Sequence, residues 1–207
     1  MSEDKRPNNF IEDIVEDDLK SGFSEDMLRF RFPPEPNGFL HIGHVSAICL
    51  NFGLGEKYNR PVNLRFDDTN PAKEEAKYVE AIKEDVIWLG YKWDNLCFSS
   101  DYFQELYDWA IQMIKDGKAY VDSQSSDEIA KQKGSPTEPG VNGPYRDRSV
   151  EENLLLFEGM KNGAYGESEH ILRAKINMQS TNMLMRDPIM YRVVNLTHHR
   201  TGDLWKI

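Results

Sequence analysis

The sequence predicts an α/β fold followed by a mixed α+β segment, and three observations carry that expectation. Between positions 27 and 90, apolar residues alternate at a period of two, then recur at helical spacing, and then repeat that order. Strand, helix, strand, helix is the pattern of a parallel crossover sheet. After about residue 100 this regularity gives way to short strand-like runs set between helices. A content of 39% hydrophobic and 11% aromatic residues in a 207-residue chain is enough for a folded core.

The first 26 residues form an acidic leader in which Phe10, Ile14 and Leu19 keep a weak helical spacing. In Met27 to Phe32, Leu28, Phe30 and Phe32 alternate with Arg29 and Arg31, which predicts a strand ended by Pro33-Pro34. Pro36-Asn37-Gly38 marks a turn. A helix is expected from about Gly43 to a stop between Gly53 and Asn59, and Val62 to Phe66 is a second strand led in by Pro61. Asn70 and Pro71 suit the N-cap and first position of the next helix. Ala76, Val79, Ile82, Val86 and Leu89 recur along that helix until Gly90 closes it.

In the second half, Phe103, Leu106, Ala110, Ile111 and Ile114 line a helix that Gly117 ends. A short strand from Ala119 to Asp122 and a short helix from Ser126 to Lys133 follow. Gly134 to Tyr145 holds three Gly and three Pro, a loop whose length hints at function. Ser149 and Glu152 suit a capping box for a helix to about Asn162. Leu172, Ala174, Ile176 and Met178 alternate as a strand, and Tyr191 to Leu196 reads as another.

Composition removes several function classes. The longest apolar runs, such as Ala47 to Leu50, are about four residues, whereas a membrane span needs about 20. The N-terminus lacks the apolar core of a secretory signal and is too acidic for a mitochondrial presequence. Cys49 and Cys97 cannot build a disulfide framework, which points to a reducing, cytoplasmic setting. The net charge of −10 lowers the expectation of a nucleic-acid partner only if it is uniform. It is not: residues 1–26 hold nine acids and three bases, while residues 170–207 hold six bases and two acids.

The stretch that carries chemistry is FRFPPEPNGFLHIGH at 30–44. A strand delivers the chain to a Pro-rich turn, and a helix starts near His41 to His44. A helix N-terminus after the first strand of a parallel sheet is a ready anion site. Gly38 and Gly43 let a nucleotide approach the backbone, and two histidines three apart share one face of the first turn. Such a site suits an ATP whose α-phosphate is attacked, since positioning and charge stabilisation dominate that chemistry. A metal centre is not expected here, because no third ligand is suitably spaced.

PPEPNGFLHIGH resembles the signature of the class I aminoacyl-tRNA synthetases, and specifically of the glutaminyl-tRNA synthetase family. The resemblance includes ICLNFG at 48–53, NLRFDDTNPAKEE at 63–75, DVIWLGYKWD at 85–94 and SSDYF at 99–103. It continues through GPYRDRSVEENLLLFEGMKNG at 143–163, LRAKINM at 172–178 and MRDPIMYR at 185–192. Eukaryotic and archaeal glutamyl enzymes share FDDTNP but typically carry Ala-Ser where this chain has Pro36-Asn37. Bacterial glutamyl enzymes and the paralogue that glutamylates queuosine usually lack FDDTNP, and small adenylyltransferases lack the later blocks.

The resemblance implies the first half of a Rossmann-like nucleotide-binding fold at 27–100, with an inserted acceptor-stem-binding domain at 101–207. It implies that Glu35, Pro36 and Asn37, with His41, Ile42, Gly43, His44, Val45, Ser46 and Ala47, contact ATP. His41 and His44 would stabilise the triphosphate, and ATP would arrive as its Mg²⁺ complex. Asp67 would bind the α-amino group of glutamine, as chemistry allows for an ionised acid and an ammonium, and Arg31 would shape the amino-acid pocket. Helix capping is the plain alternative for Asp67, and Mg²⁺ ligation beside Asp68 a third.

Implied partners are L-glutamine, ATP and the acceptor stem of glutamine tRNA, with a monomeric parent and no membrane. The basic residues of 170–207 suit phosphate contacts, and Gly134 to Tyr145 is where relatives meet the acceptor end. Arg146 and Arg148, flanking Asp147, fit either internal ion pairs or RNA contacts. The family pattern continues past Ile207 with a lysine-containing KMSKS-type loop and anticodon-binding barrels. The chain therefore reads as an N-terminal fragment, expected to be inactive alone, with a non-catalytic ATP- or acceptor-binding module as the alternative.

Overall fold

In the computed structural model, residues 8–207 are described; the first seven positions of the acidic leader lie outside them. The chain divides into two compact units, Met1–Asp101 and Tyr102–Ile207. Among the described residues no helix is long and apolar enough to cross a membrane.

The first unit opens with helix α1, Phe10–Lys20, capped reciprocally by Asn9 and Glu12. Its inner face is Val15 with Ile11 and Leu19. Glu12 turns inward to Lys57 at 3.3 Å, and Glu16 accepts the Tyr58 hydroxyl at 2.9 Å. Strand β1 is shorter than the alternation predicts, Phe30–Phe32, because Glu25–Met27 folds into a 3₁₀ turn that the Leu28 N–H closes onto Glu25.

Helix α2, Ile42–Tyr58, runs through Gly53 and Gly55 and ends where Asn59 enters the left-handed region at φ 51°. Gly55 is required by contact: a Cβ there would overlap Val62 and press on the Arg60 carbonyl. Strands β2, Val62–Phe66, and β3, Asn95–Phe98, complete a parallel sheet of order β1-β2-β3. Its register pairs Phe32 with Leu64 and Phe66 with Phe98. Phe32, Leu64 and Phe66 pack with Ile48 and Phe52 of α2 and with Ile82 and Val86, which lie between β2 and β3, in one core. The sequence does not announce β3, since it is an edge strand whose Asn95 and Leu96 are both exposed.

Helix α3 spans Ala76–Trp88, five residues later than Asn70-Pro71 predicts. Asn70 instead closes a turn, its Oδ1 accepting from the Ala72 N–H. The following N–H groups are committed elsewhere: Asn70 donates to Glu74 at 2.8 Å, and Glu75 donates to the Pro36 carbonyl at 3.2 Å.

The second unit is an antiparallel sheet of order β4 (Ala119–Asp122), β5 (Ile171–Ala174), β6 (Ile189–Arg192) with three helices. Helix α4, Phe103–Lys115, leads into β4, Ala119–Asp122, and α5, Ser126–Lys133. Helix α6, Val150–Lys161, has only half of the expected capping box. Ser149 accepts the Glu152 N–H at 3.2 Å, while the Glu152 carboxylate goes to Arg148 at 3.0 Å.

Strand β5, Ile171–Ala174, stops before Ile176. The Ile176 N–H leaves the ladder for the Asp187 carboxylate at 2.8 Å. Strand β6 is Ile189–Arg192, earlier than predicted, and Val194 pairs instead with the Lys206 carbonyl at 2.8 Å. Beneath this sheet, Arg173 and Asp122 form an ion pair at 2.8 Å with side-chain exposures of 1% and 0%. Tyr120, buried and hydrogen bonded to Asp187 at 3.2 Å, has its ionisation pushed up by desolvation.

Candidate functional site

The sequence-predicted residues gather at the carboxyl ends of the parallel strands, where ligands bind in open α/β sheets. Two backbone bonds join the segments that follow β1 and β2. Asp67 N–H donates to the Pro34 carbonyl at 3.0 Å, and Glu75 N–H donates to that of Pro36 at 3.2 Å. The segment after β3 joins through Asp68, which is fully buried and accepts the Ser100 N–H at 2.9 Å and hydroxyl at 2.6 Å.

At the start of α2, His41 is the N-cap, and its Nδ1 accepts the Gly43 N–H at 3.1 Å. His44 Nδ1 accepts the His41 N–H at 3.1 Å, and the two ring centroids stand 4.0 Å apart. With both Nδ1 atoms acting as acceptors, each neutral imidazole carries its proton on Nε2. A Cβ on Gly43 would lie 2.9 Å from the His41 ring, so glycine there is a condition of the cap, whereas Gly38 faces open space. Partial burial, followed by the neighbouring His41, lowers the His44 pKa.

Glu35 is exposed and accepts the Asn37 side-chain amide at 2.7 Å, while Pro36 is buried. Ile42 and Ser46 are exposed, and Val45 and Ala47 half-buried. His41, Ile42 and Val45 also border a cavity of about 230 Å³ shared with Trp88, the last residue of α3, and Leu89, its C-cap. Arg31 projects from the sheet face opposite Phe30 and Phe32, in register with Asn63, and so shares a face with Arg65.

Asp67 stands just past the end of β2, half-exposed. Its Oδ1 accepts Arg65 Nε at 2.7 Å and the Ser99 hydroxyl at 3.1 Å, and its Oδ2 accepts Arg65 Nη2 at 3.2 Å. Neither Asp67 nor Asp68 caps α3, whose N-cap is Glu75 without a side-chain bond. The pair does not fit a Mg²⁺ cage: one carboxylate is forked by a guanidinium and the other is spent on Ser100. Glu74, which the sequence did not single out, is 7% exposed. Its Oε1 accepts the Asn70 N–H, and its Oε2 has no partner. Burial first, then the charges of Asp68 and Glu35, push its carboxyl up to about 7 against the pull of backbone donors.

In the second unit a cavity of about 430 Å³ opens beside Ile129, Lys133, Ile171 and Arg192, and none of the residues expected to hold ATP or glutamine lines it. Of the six bases of 170–207, Arg173 and Arg186 are buried, while Arg192 and Arg200 are exposed. Arg173 is paired with Asp122, and Arg186 donates to the carbonyls of Lys133, Ser135, Glu138 and Ser180. Lys175 pairs with Asp147 and Lys206 with Asp203. Arg146 pairs with Asp187 at 2.7 Å and Arg148 with Glu152, so both arginines are held in internal ion pairs.

Comparison with known proteins gives a consistent pattern. The family model described as "tRNA synthetases class I (E and Q), catalytic domain" matches residues 27–207. A glutamine--tRNA ligase from Clostridium kluyveri is 56% identical over 207 residues, covering 100% of this chain and 37% of the relative. One from Pasteurella multocida is 56% identical over 205 residues, covering 99% of this chain and 36% of the relative. The chain thus spans a little over a third of the length of these curated relatives. A crystal structure of a glutamate tRNA ligase from Elizabethkingia meningosepticum in complex with its amino acid matches with a TM-score of 0.58 at 20% identity. That match covers 80% of this chain and 38% of the other, a likeness of fold.

Proposed function

The chain belongs to the catalytic-domain family of the class I tRNA synthetases for glutamate and glutamine, and from that premise we propose that it supplies the nucleotide- and amino-acid-binding half of a glutaminyl-tRNA synthetase. The parent activity is ATP-dependent activation of L-glutamine and its transfer to the terminal adenosine of glutamine tRNA, in the cytoplasm. What carries the reading is one juxtaposition in a chain so similar to glutamine--tRNA ligases. A helix N-terminus bearing His41 and His44 and the half-exposed Asp67 belong to bonded segments of the same sheet edge.

In this reading Glu35, Pro36, Asn37 and the first turn of α2 from His41 to Ala47 hold ATP. A glutamine carboxylate oxygen attacks the α-phosphorus, the bond to the bridging oxygen breaks, and pyrophosphate leaves. The Nε2–H groups of His41 and His44 donate to phosphate oxygens as negative charge builds, and the helix dipole adds to this. Both segments are tied by backbone bonds before substrate arrives, which limits the reorganisation the reaction requires. Mg²⁺ enters with ATP and supplies charge neutralisation of the leaving pyrophosphate; Asp67 is left to pair the glutamine ammonium, and Arg31 borders the same pocket.

Residues 27–100 serve as the nucleotide-binding part and 101–207 as the part that meets the acceptor stem. Pro36-Asn37 favours glutamine over a eukaryotic or archaeal glutamyl activity. The test is ATP–pyrophosphate exchange by the natural gene product with tRNA and either amino acid. Exchange supported by glutamine and lost in His44→Ala is expected; exchange supported by glutamate alone overturns the assignment.

A further inference from the structure

We propose that Arg65 and Ser99 are positioning residues that fix the Asp67 carboxylate and leave one defined oxygen, Oδ2, to take an amino group. The inference rests on Asp67 being the amino-acid-binding acid and adds what makes it one.

A carboxylate oxygen has two lone-pair directions. Oδ1 of Asp67 uses both, on Arg65 Nε at 2.7 Å and the Ser99 hydroxyl at 3.1 Å. Oδ2 has a single, longer bond from Arg65 Nη2 at 3.2 Å. The remaining acceptor capacity of the group is therefore on Oδ2. The two-point fork from Arg65 also fixes the plane of the carboxylate, which a single donor cannot do. Each holder has its own anchor in the sheet. Arg65 lies in β2, two residues before Asp67 and so on the same face, in register with Cys97 of β3. Ser99 directly follows β3, and its neighbour Ser100 is bound to the buried Asp68. The backbone of Asp67 is held separately by Pro34. With backbone and side chain both fixed, Oδ2 is presented without the rotamer search that a free aspartate makes. The ion pair is still reachable by solvent, with side-chain exposures of 35% for Arg65 and 33% for Asp67.

The test uses the natural gene product and steady-state kinetics with glutamine and ATP varied separately. Arg65→Gln is expected to raise the KM for glutamine about tenfold or more while moving the KM for ATP less than about twofold. Arg65→Lys, which keeps charge without the fork, is expected to recover part of the loss, and Ser99→Ala to cost about two- to fivefold on glutamine alone. Asp67→Asn is expected to raise the glutamine KM at least as far, and adding Arg65→Gln to it should cost little more. If Asp67→Asn acts this way while Arg65→Gln leaves the glutamine KM unchanged, the positioning role is overturned and the function of Asp67 stands. If Asp67→Asn leaves the glutamine KM unchanged, the amino-acid assignment itself fails. Equal rises in both KM values for Arg65→Gln, with a lowered melting temperature, would mean general damage and also overturn the positioning role.

Discussion

The backbone N–H of His41 donates to the side chain of His44 across 3.1 Å, and His41 in turn caps Gly43 across the same distance. Both rings are thereby set as Nε2–H tautomers, which nitrogen-15 spectra of the imidazoles report directly. Burial, then the charge of His41, lowers the pKa of His44 below the free value of 6.5. The folded state thus resists protonating His44, and the stability this neutral ring lends is lost as pH falls from about 6.5 through its folded pKa. A proton-NMR titration should place the His44 midpoint below 6.5, with His41→Ala restoring only part of the shift. A midpoint at or above the free value would contradict the cap geometry.

Glu74 has the opposite sign. Its folded pKa, up to about 7 from an ordinary 4.5, means that the folded chain keeps a proton the unfolded chain has released. Stability therefore declines between about pH 4.5 and 7 on this account. Glu74→Gln keeps an acceptor for the Asn70 N–H and removes the charge. It is expected to flatten that decline and to gain about 1–3 kcal/mol at pH 8, read by urea unfolding at several pH values. An unchanged pH slope would show that Glu74 titrates normally.

Two glycines of α2 should respond in opposite directions to the same substitution. A methyl group on Gly53 meets nothing within 4 Å, so Gly53→Ala should add up to about 1 kcal/mol of helix propensity. At Gly55 the same gain is offset by overlap with Val62, and overpacking of about 1–3 kcal/mol wins. Thermal melts of the two variants should move apart, and Val62→Ala should recover part of the Gly55→Ala loss.

Asp122 and Arg173 are both almost fully buried, so removing one charge strands the other. Asp122→Asn is expected to cost about 3–5 kcal/mol, since the Arg173 charge is left with the Asp187 carbonyl, the Met178 sulfur and the Tyr120 ring and no opposite charge in its pair. Replacing both residues by apolar side chains of similar volume should cost less than Asp122→Asn alone. Chemical denaturation of single and double variants separates these outcomes.

Where a local pattern had one cause, it could be read from the chain. Leu64 and Phe66 alternate because one face of β2 packs on the core, and α5 falls on the Ser126–Lys133 run that reads as a short helix. Legibility failed where a distant partner took over a backbone group. Pro36 captures the Glu75 N–H and delays α3, and Asp187 captures the Ile176 N–H and shortens β5. The candidate site divides in the same way. The signature residues from Glu35 to Ala47 could be named from their own string. The support that Ser99 gives Asp67 comes from just past another strand, 32 positions on. Arg65 was accessible in principle, since a spacing of two places it on the face of Asp67, but nothing local distinguishes it from any other strand arginine. Counting bases overstated the basic surface of the last segment, because Arg173 and Arg186 spend their charge inside the second unit.

The bonds from Asp67 to Pro34, from Glu75 to Pro36 and from Asp68 to Ser100 make the three segments after β1, β2 and β3 a single exchangeable part. A chimera that imports only one of them from a relative severs bonds to the other two and inherits mismatched lengths. Transplanting substrate preference across this family by grafting therefore calls for moving all three together, in a cassette that runs from the end of β1 to beyond the end of β3.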